Sequence, residues 1–146
     1  MSPQDLFNRG LREDGHRPDE ARRWYLLAIA SGHPAAVQRA AFNLALIEDE
    51  SGHLDAARHW YGRAGTPRAM FNLGVLEDCC GNTDAARRWY ARAIETGHEE
   101  AAPRAMFNLG LLEGREGRPD RARAHFRAAA GSGHAEAAAR ATERLA

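Results

Sequence analysis

Four asparagines each stand directly after a phenylalanine: Phe7-Asn8, Phe42-Asn43, Phe71-Asn72 and Phe107-Asn108. A carboxamide carries both donors and an acceptor. One such side chain can bond the N–H and the C=O of an extended peptide together, whatever that peptide's side chains are. Arg39, Arg68 and Arg104 stand three residues ahead of the last three phenylalanines and add planar cations suited to carboxylates. Other chemically able residues are arranged less tellingly. Five of the seven histidines follow a glycine: His16, His33, His53, His98 and His134. They are expected at hairpin ends, where a cation complements a helix C-terminus. No His-x3-His or Cys-x2-Cys spacing occurs, so neither a metal site nor a cofactor is expected. Cys79 and Cys80 are adjacent and read as two reduced thiols near a helix end. No nucleophile–base pair or phosphate-binding glycine loop is present, so an enzyme is not expected.

The elements that must position these residues repeat. The frame F-N-x-[GA]-x-x-E occurs four times, ending at Glu13, Glu48, Glu77 and Glu113. A second frame follows each copy: Ala21-Arg22-Arg23-Trp24-Tyr25, Ala57-Arg58-His59-Trp60-Tyr61, Ala86-Arg87-Arg88-Trp89-Tyr90 and Ala122-Arg123-Ala124-His125-Phe126. A further alanine lies three residues beyond each second aromatic, at Ala28, Ala64, Ala93 and Ala129. Residues three and four apart share one helix face, so the alanines admit a neighbouring helix and the ring fills the gap. Gly15, Gly52, Gly81 and Gly117 stand where a first helix should stop, and Gly32, Gly65, Gly97 and Gly133 where a second should. Pro18 and Pro119 suit the first turn of the following helix. Each copy is thus a first helix (A), a turn, a second helix (B) and a turn.

This double frame resembles the tetratricopeptide repeat, with Leu44-Ala45, Leu73-Gly74 and Leu109-Gly110 matching its helix-A element and the alanine–aromatic frames its helix-B element. The Trp-Tyr pairs and Gly-His endings are similar to the related Sel1-like repeat. The resemblance implies an all-α fold, a right-handed α-solenoid of antiparallel helix hairpins. It covers the whole chain as a single domain, 1–146, with repeats at about 3–32, 34–65, 67–97 and 99–132 and a capping helix over 135–145. Arg9 departs from the core leucine of the other copies, which marks the first A helix as a partly exposed cap. Spacing also departs: Trp24 to Trp60 is 36 residues, but Trp60 to Trp89 is 29. The missing residues fall around Gly65-Thr66-Pro67 and predict a shorter helix pair there, with a notch.

The core is expected from Leu44, Ile47, Leu73, Leu76, Leu109 and Leu112, joined by Tyr25, Tyr61, Tyr90 and Phe126. The resemblance implies that A helices line a concave groove. It places Asn8, Asn43, Asn72, Asn108, Phe42, Phe71, Phe107, Arg39, Arg68 and Arg104 there as peptide-binding residues. Two readings of the asparagines stand: a grip on peptide backbone, or the habit of the repeat. Glu48 and its counterparts fall on the packing side. With Arg22, Arg58, Arg87 and Arg123 they predict an ion-pair ladder inside the stack.

Twenty basic residues, all arginine, balance twenty acidic ones, so the excess of a nucleic-acid binder is lacking. No apolar run is long enough for a membrane span, and the first residues do not read as a secretory signal. A cytoplasmic, bacterial protein is expected, acting as a scaffold that holds a peptide or partner protein segment. The alternative is a homo-oligomeric assembly module with no peptide ligand.

Overall fold

The computed structural model describes residues 1–146 and contains nine helices and no strand: α1 (Pro3–Glu13), α2 (Pro18–Ala30), α3 (Pro34–Glu50), α4 (Leu54–Ala64), α5 (Pro67–Cys79), α6 (Thr83–Glu95), α7 (Ala101–Arg115), α8 (Pro119–Ala130) and α9 (Ala135–Leu145). Odd-numbered helices are the A helices and even-numbered ones the B helices. The fold is all-α and of the tetratricopeptide and Sel1 solenoid type. Prolines open α1, α2, α3, α5 and α8. A helix's first residues have no intrahelical acceptor for their N–H groups, so the missing donor costs nothing there. All eight glycines expected at helix ends, from Gly15 to Gly133, have positive φ. That conformation penalises a side chain, which is why the hairpin turns are glycine in every copy.

Packing divides the chain into two compact units, Met1–Ala69 and Met70–Ala146, with the boundary inside α5. In the first unit each of α1 to α4 packs on the next, and α1 also meets α3. In the second, α6 to α9 pack in the same order, and α7 also meets α9. All ten residues expected in the core are buried. A buried side chain of this size contributes about 1.5–3 kcal/mol, and Tyr25, Tyr90 and Phe126 are packed over Gly10, Gly74 and Gly110. A Cβ added to Gly74 would lie 2.5 Å from the Tyr90 ring, and one added to Gly110 would lie 2.6 Å from the Phe126 ring. In these three hairpins the close approach of the two helices therefore requires glycine. The second copy carries Ala45, fully buried, in that place.

The uneven spacing has a local form. After α4, only Gly65 and Thr66 precede α5, and α5 has 13 residues where α3 has 17 and α7 has 15. Helix α4, with 11 residues against 13 in α2, is short as well, so the shortening runs through the end of helix B, the turn and the first turn of helix A, and the apolar stripe keeps its phase.

Candidate functional site

The A-helix residues singled out by the repeat are built into a regular inter-repeat lattice. Arg39 lies over the Phe7 ring at 4.2 Å, Arg104 over Phe71 at 4.9 Å and Arg140 over Phe107 at 4.4 Å. Each arginine thus covers the phenylalanine of the preceding A helix, a cation–π contact of roughly 0.5–1 kcal/mol at an exposed site. The phenylalanines correct one expectation. Phe71 and Phe107 are buried, as is Phe7, and Phe42 is half-buried. Their rings turn into the stack against the helix-B tyrosine or phenylalanine, with Phe71–Tyr90 centroids 6.2 Å apart and Phe107–Phe126 5.7 Å. They form a floor under the arginines rather than open apolar pockets.

The asparagines are half-buried and also face their neighbours. Asn43 donates to the Tyr25 hydroxyl at 3.2 Å, and that hydroxyl donates to Asp14 at 2.8 Å. Asn108 donates to the Tyr90 hydroxyl at 3.5 Å, the outer limit of a hydrogen bond. Asp78, in the place of Asp14, is instead paired with Arg115 at 2.6 Å. Burial, and for Tyr25 the neighbouring Asp14 carboxylate, push both phenols well above their usual range. Both are therefore neutral donors at any physiological pH. Asn8 accepts from Gln4 at 2.8 Å, and Gln4 in turn accepts from Arg39 at 3.1 Å. Sequence reading had no signal for these ties, because Asn and Tyr lie 18 residues apart in different repeats.

In the second unit the same residue set opens a cleft. Phe71, Arg104, Phe107 and Asn108 line it together with Glu136, Ala137 and Arg140 of α9. Its volume is about 130 Å³. Pockets for drug-sized ligands run to roughly 300 Å³ and above, so this cleft takes one side chain or chain terminus. Arg104 is exposed and its guanidinium makes no hydrogen bond or ion pair. Arg68 is exposed on α5 and Asn72 is half-buried there; neither lines this cleft.

The repeat explains Arg140, which sequence reading placed only in a cap. Arg39-Ala40, Arg68-Ala69, Arg104-Ala105 and Arg140-Ala141 are one recurring pair, and Leu145 falls in the register of Leu44, Leu73 and Leu109. So α9 carries the opening of a fifth A helix. That signal was present in the sequence but is masked because Glu143-Arg144 replaces Phe-Asn.

Two rungs of the Glu–Arg ladder are present, one linking α2 to α3 and one linking α6 to α7. Arg22 pairs with Glu48, and Arg87 donates to Glu113 at 2.6 Å. The second carboxylate oxygen is held from the following turn, by His53 on Glu48 (2.8 Å), Asn82 on Glu77 (2.7 Å) and Arg118 on Glu113 (3.3 Å). Glu113 is only 2% exposed, so its charge depends on these partners. For Glu48 and Glu113 burial pushes the pKa up, but the bonds from Arg22 and His53, and from Arg87 and Arg118, outweigh it and leave both lowered. The arginine side is raised, chiefly by its bond to the glutamate. At the chain's first copy Glu13 meets only Arg17, at 3.9 Å.

The histidine expectation is corrected. His98 and His134 act at helix N-termini, not C-termini. The Nδ1 of His98 accepts from the Ala101 N–H at 3.1 Å, and that of His134 from the Ala137 N–H at 3.2 Å. No helix is long and apolar enough to cross a membrane.

Three segments match the Sel1 repeat, at residues 7–33, 67–98 and 103–134. The unmatched stretch between the first two contains the copy with Ala45 for glycine and the shortened junction. No curated protein sequence matches the chain. Among solved structures, a crystal structure of MamA is 22% identical with a TM-score of 0.75, over 93% of this chain and 81% of that one. A second MamA crystal structure gives 21% and 0.70, over 90% and 73%. The crystal structure of BtubC (BKLC) from P. vanneervenii gives 22% and 0.71, over 92% of this chain and 64% of that one. At such identities the likeness is one of fold. Repeats of this kind generally act as protein-interaction scaffolds rather than catalysts. The Sel1 matches take in more than half of the residues, and the chain belongs to the Sel1 repeat family.

Proposed function

We propose that this chain is a protein-interaction scaffold that holds a peptide or partner segment on the A-helix face of its second unit. The observation that carries this reading is the cleft in which Phe71, Arg104, Phe107 and Asn108 come together. Asn108 has a loosely held amide N–H and an open carbonyl oxygen, so it can bond a peptide unit. In the first unit Asn8, Asn43 and Arg39 are engaged with neighbours, and their part is packing. Phe42 belongs with them, its ring 6.0 Å from that of Tyr61. Asn72 of α5 is assigned a flanking contact on a longer segment. Titration of the purified chain with a peptide array tests the proposal, using Asn108→Ala and Asn43→Ala. Binding that falls with the first and survives the second supports it; binding unaffected by either rejects it.

Self-association, the alternative, has one observation in its favour. Leu11, Leu26 and Leu27 in the first unit are 45–50% exposed. Light scattering on the wild type and on Leu26→Ser/Leu27→Ser separates the readings, a dimer abolished by the double change favouring this one.

A further inference from the structure

We infer that Cys79 and Cys80, adjacent at the end of α5, form a two-coordinate thiolate site for a soft monovalent metal ion, Cu(I). The site is independent of the peptide-binding reading above, since neither thiol lines the cleft.

The backbone that carries the pair is fixed. The Cys80 N–H donates to the Leu76 carbonyl at 3.0 Å, the Gly81 N–H to Asp78 at 3.0 Å and the Asn82 N–H to Glu77 at 2.9 Å. With Gly81 at a φ of 78°, these bonds close a Schellman ending, in which Cys79 is the last helical residue and Cys80 the cap. Both cysteines are exposed. Held in this way, the two thiols are poor partners for each other. Adjacent Cα atoms stand about 3.8 Å apart, whereas an unstrained disulfide requires about 4.4–6.8 Å. Neighbours on a helix also diverge by about 100°, which sets their Cβ atoms roughly 5 Å apart. A disulfide holds its Cβ atoms within about 3.5–4.5 Å. Closing a sulfur–sulfur bond inside the pair would therefore undo the helix ending, and the pair persists as a dithiol.

A metal ion spans the wider gap. With thiolate–metal bonds of about 2.3 Å, a linear sulfur–metal–sulfur unit sets its two Cβ atoms roughly 5–6 Å apart, the separation of helical neighbours. Soft thiolates favour Cu(I), whose filled d shell accepts two collinear ligands. Structural zinc and iron–sulfur clusters take four ligands, and no group of three or more His, Cys, Asp or Glu side chains converges in the fold. The two carboxylates that precede the pair are engaged elsewhere, Asp78 with Arg115 at 2.6 Å and Glu77 with Asn82 at 2.7 Å. The thiols are left as the donor pair. Loading displaces one proton from each thiol and gives a singly anionic bis-thiolate, with no change of oxidation state at copper or sulfur.

The test is anaerobic titration of the full, reduced chain with Cu(I) held by the chromophoric chelator bicinchoninate. Binding is read from the loss of the chelator's colour and from thiolate-to-copper absorbance in the ultraviolet. Withdrawal of one Cu(I) per chain is expected, with X-ray absorption of the loaded wild type showing two sulfur neighbours. Cys79→Ser and Cys80→Ser should each weaken Cu(I) binding about a hundredfold or more, because the second thiolate of a chelate acts at a high effective concentration. Both positions are exposed, so the helical circular dichroism of the variants should match that of the wild type. Failure of the wild type to take Cu(I) from the chelator overturns the site. So does a single variant that binds as the wild type does, one Cu(I) shared between two chains, or a copper neighbour shell without two sulfurs.

Discussion

The A-helix surface of the first unit is closed on itself, and that of the second is not. In the first, Arg39, Gln4 and Asn8 form a continuous chain of hydrogen bonds, and Asn43, Tyr25 and Asp14 form another. In the second, Arg104 stands in place of Gln4, Arg115 draws Asp78 away, and Asn108 keeps only a 3.5 Å bond to Tyr90. The backbone frame is the same in both. One residue type at one register, an acceptor in α1 and a donor in α7, decides whether the surface satisfies itself or leaves donors for a ligand. Repetition of a motif thus does not imply repetition of a site: the first unit departs from the arginine register at Gln4 and satisfies itself there, while the second keeps arginine and leaves donors unspent.

The ion-pair ladder allows the largest test of this comparison. Removing one partner of a buried pair costs about 3–5 kcal/mol when nothing replaces it. Arg22→Met leaves Glu48 on His53 alone, so about 3 kcal/mol is expected from urea unfolding. Arg87→Met leaves Glu113 with the permanently charged Arg118, and about 2 kcal/mol is expected. Arg123→Met, exposed at the equivalent place in α8, should change stability by less than about 0.5 kcal/mol. The same carboxylates set the acid limit. Their folded pKa values lie below the ordinary 4.5. The unfolded chain therefore binds more protons in that range, and stability falls as pH drops from about 4.5 through the lowered values. Glu113→Gln should flatten that slope in calorimetry between pH 5 and pH 2, at the cost of a lower plateau near neutrality.

Glycine provides the next largest contrast. Gly74→Ala would drive its Cβ into the Tyr90 ring. Overpacking costs about 1–3 kcal/mol, offset by about 1 kcal/mol from a better helix former. Ala45→Gly in the second copy removes a buried methyl and adds helix entropy, so about 1–2 kcal/mol is expected. Both are read from thermal midpoints, and a Gly74→Ala variant more stable than the wild type would contradict the close-approach account.

Exchanging the register residue sharpens the comparison at the level of binding. Gln4→Arg should free Arg39 and open the first unit to weak peptide binding, and Arg104→Gln should lower peptide affinity at the second unit's cleft about tenfold. Isothermal titration with a glutamate-bearing peptide counts the sites and reads the affinities.

Histidine capping gives the smallest expected effect. His98→Ala and His134→Ala each remove a side-chain acceptor from a helix N-terminus and should cost about 0.5–1 kcal/mol. His33→Ala should cost less, since His33 makes no such bond to α3. Thermal unfolding of the three variants compares them.

Legibility in the sequence followed the range of the interaction. Helix ends, hairpin turns and the core were readable because glycine, proline and the alanine–aromatic spacing act within a few residues. The Glu–Arg ladder was readable because both members recur once per copy. Its register, 26 residues from Arg87 to Glu113, is a property of stacking. The candidate site was half legible: Arg104, Phe107 and Asn108 stand in the frame, but the burial of the phenylalanines and the Asn–Tyr ties need three dimensions. Arg140 and Glu136 were missed because α9 lacks the Phe-Asn pair that flags the other A helices. His98 and His134 were put at the wrong helix end because Gly-His follows one helix and precedes the next, and spacing alone does not say which one the ring serves.

The most direct test of the central claim compares the two surfaces in one titration. Side-chain resonances of Arg39, Asn8 and Asn43 are followed against those of Arg104, Arg140 and Asn108 as Ac-Gly-Ala-Glu-Ala-Gly-NH2 is added to the wild-type chain. Saturable shifts confined to the second set are predicted. Equal shifts in both sets, or shifts in the first set alone, would contradict the account.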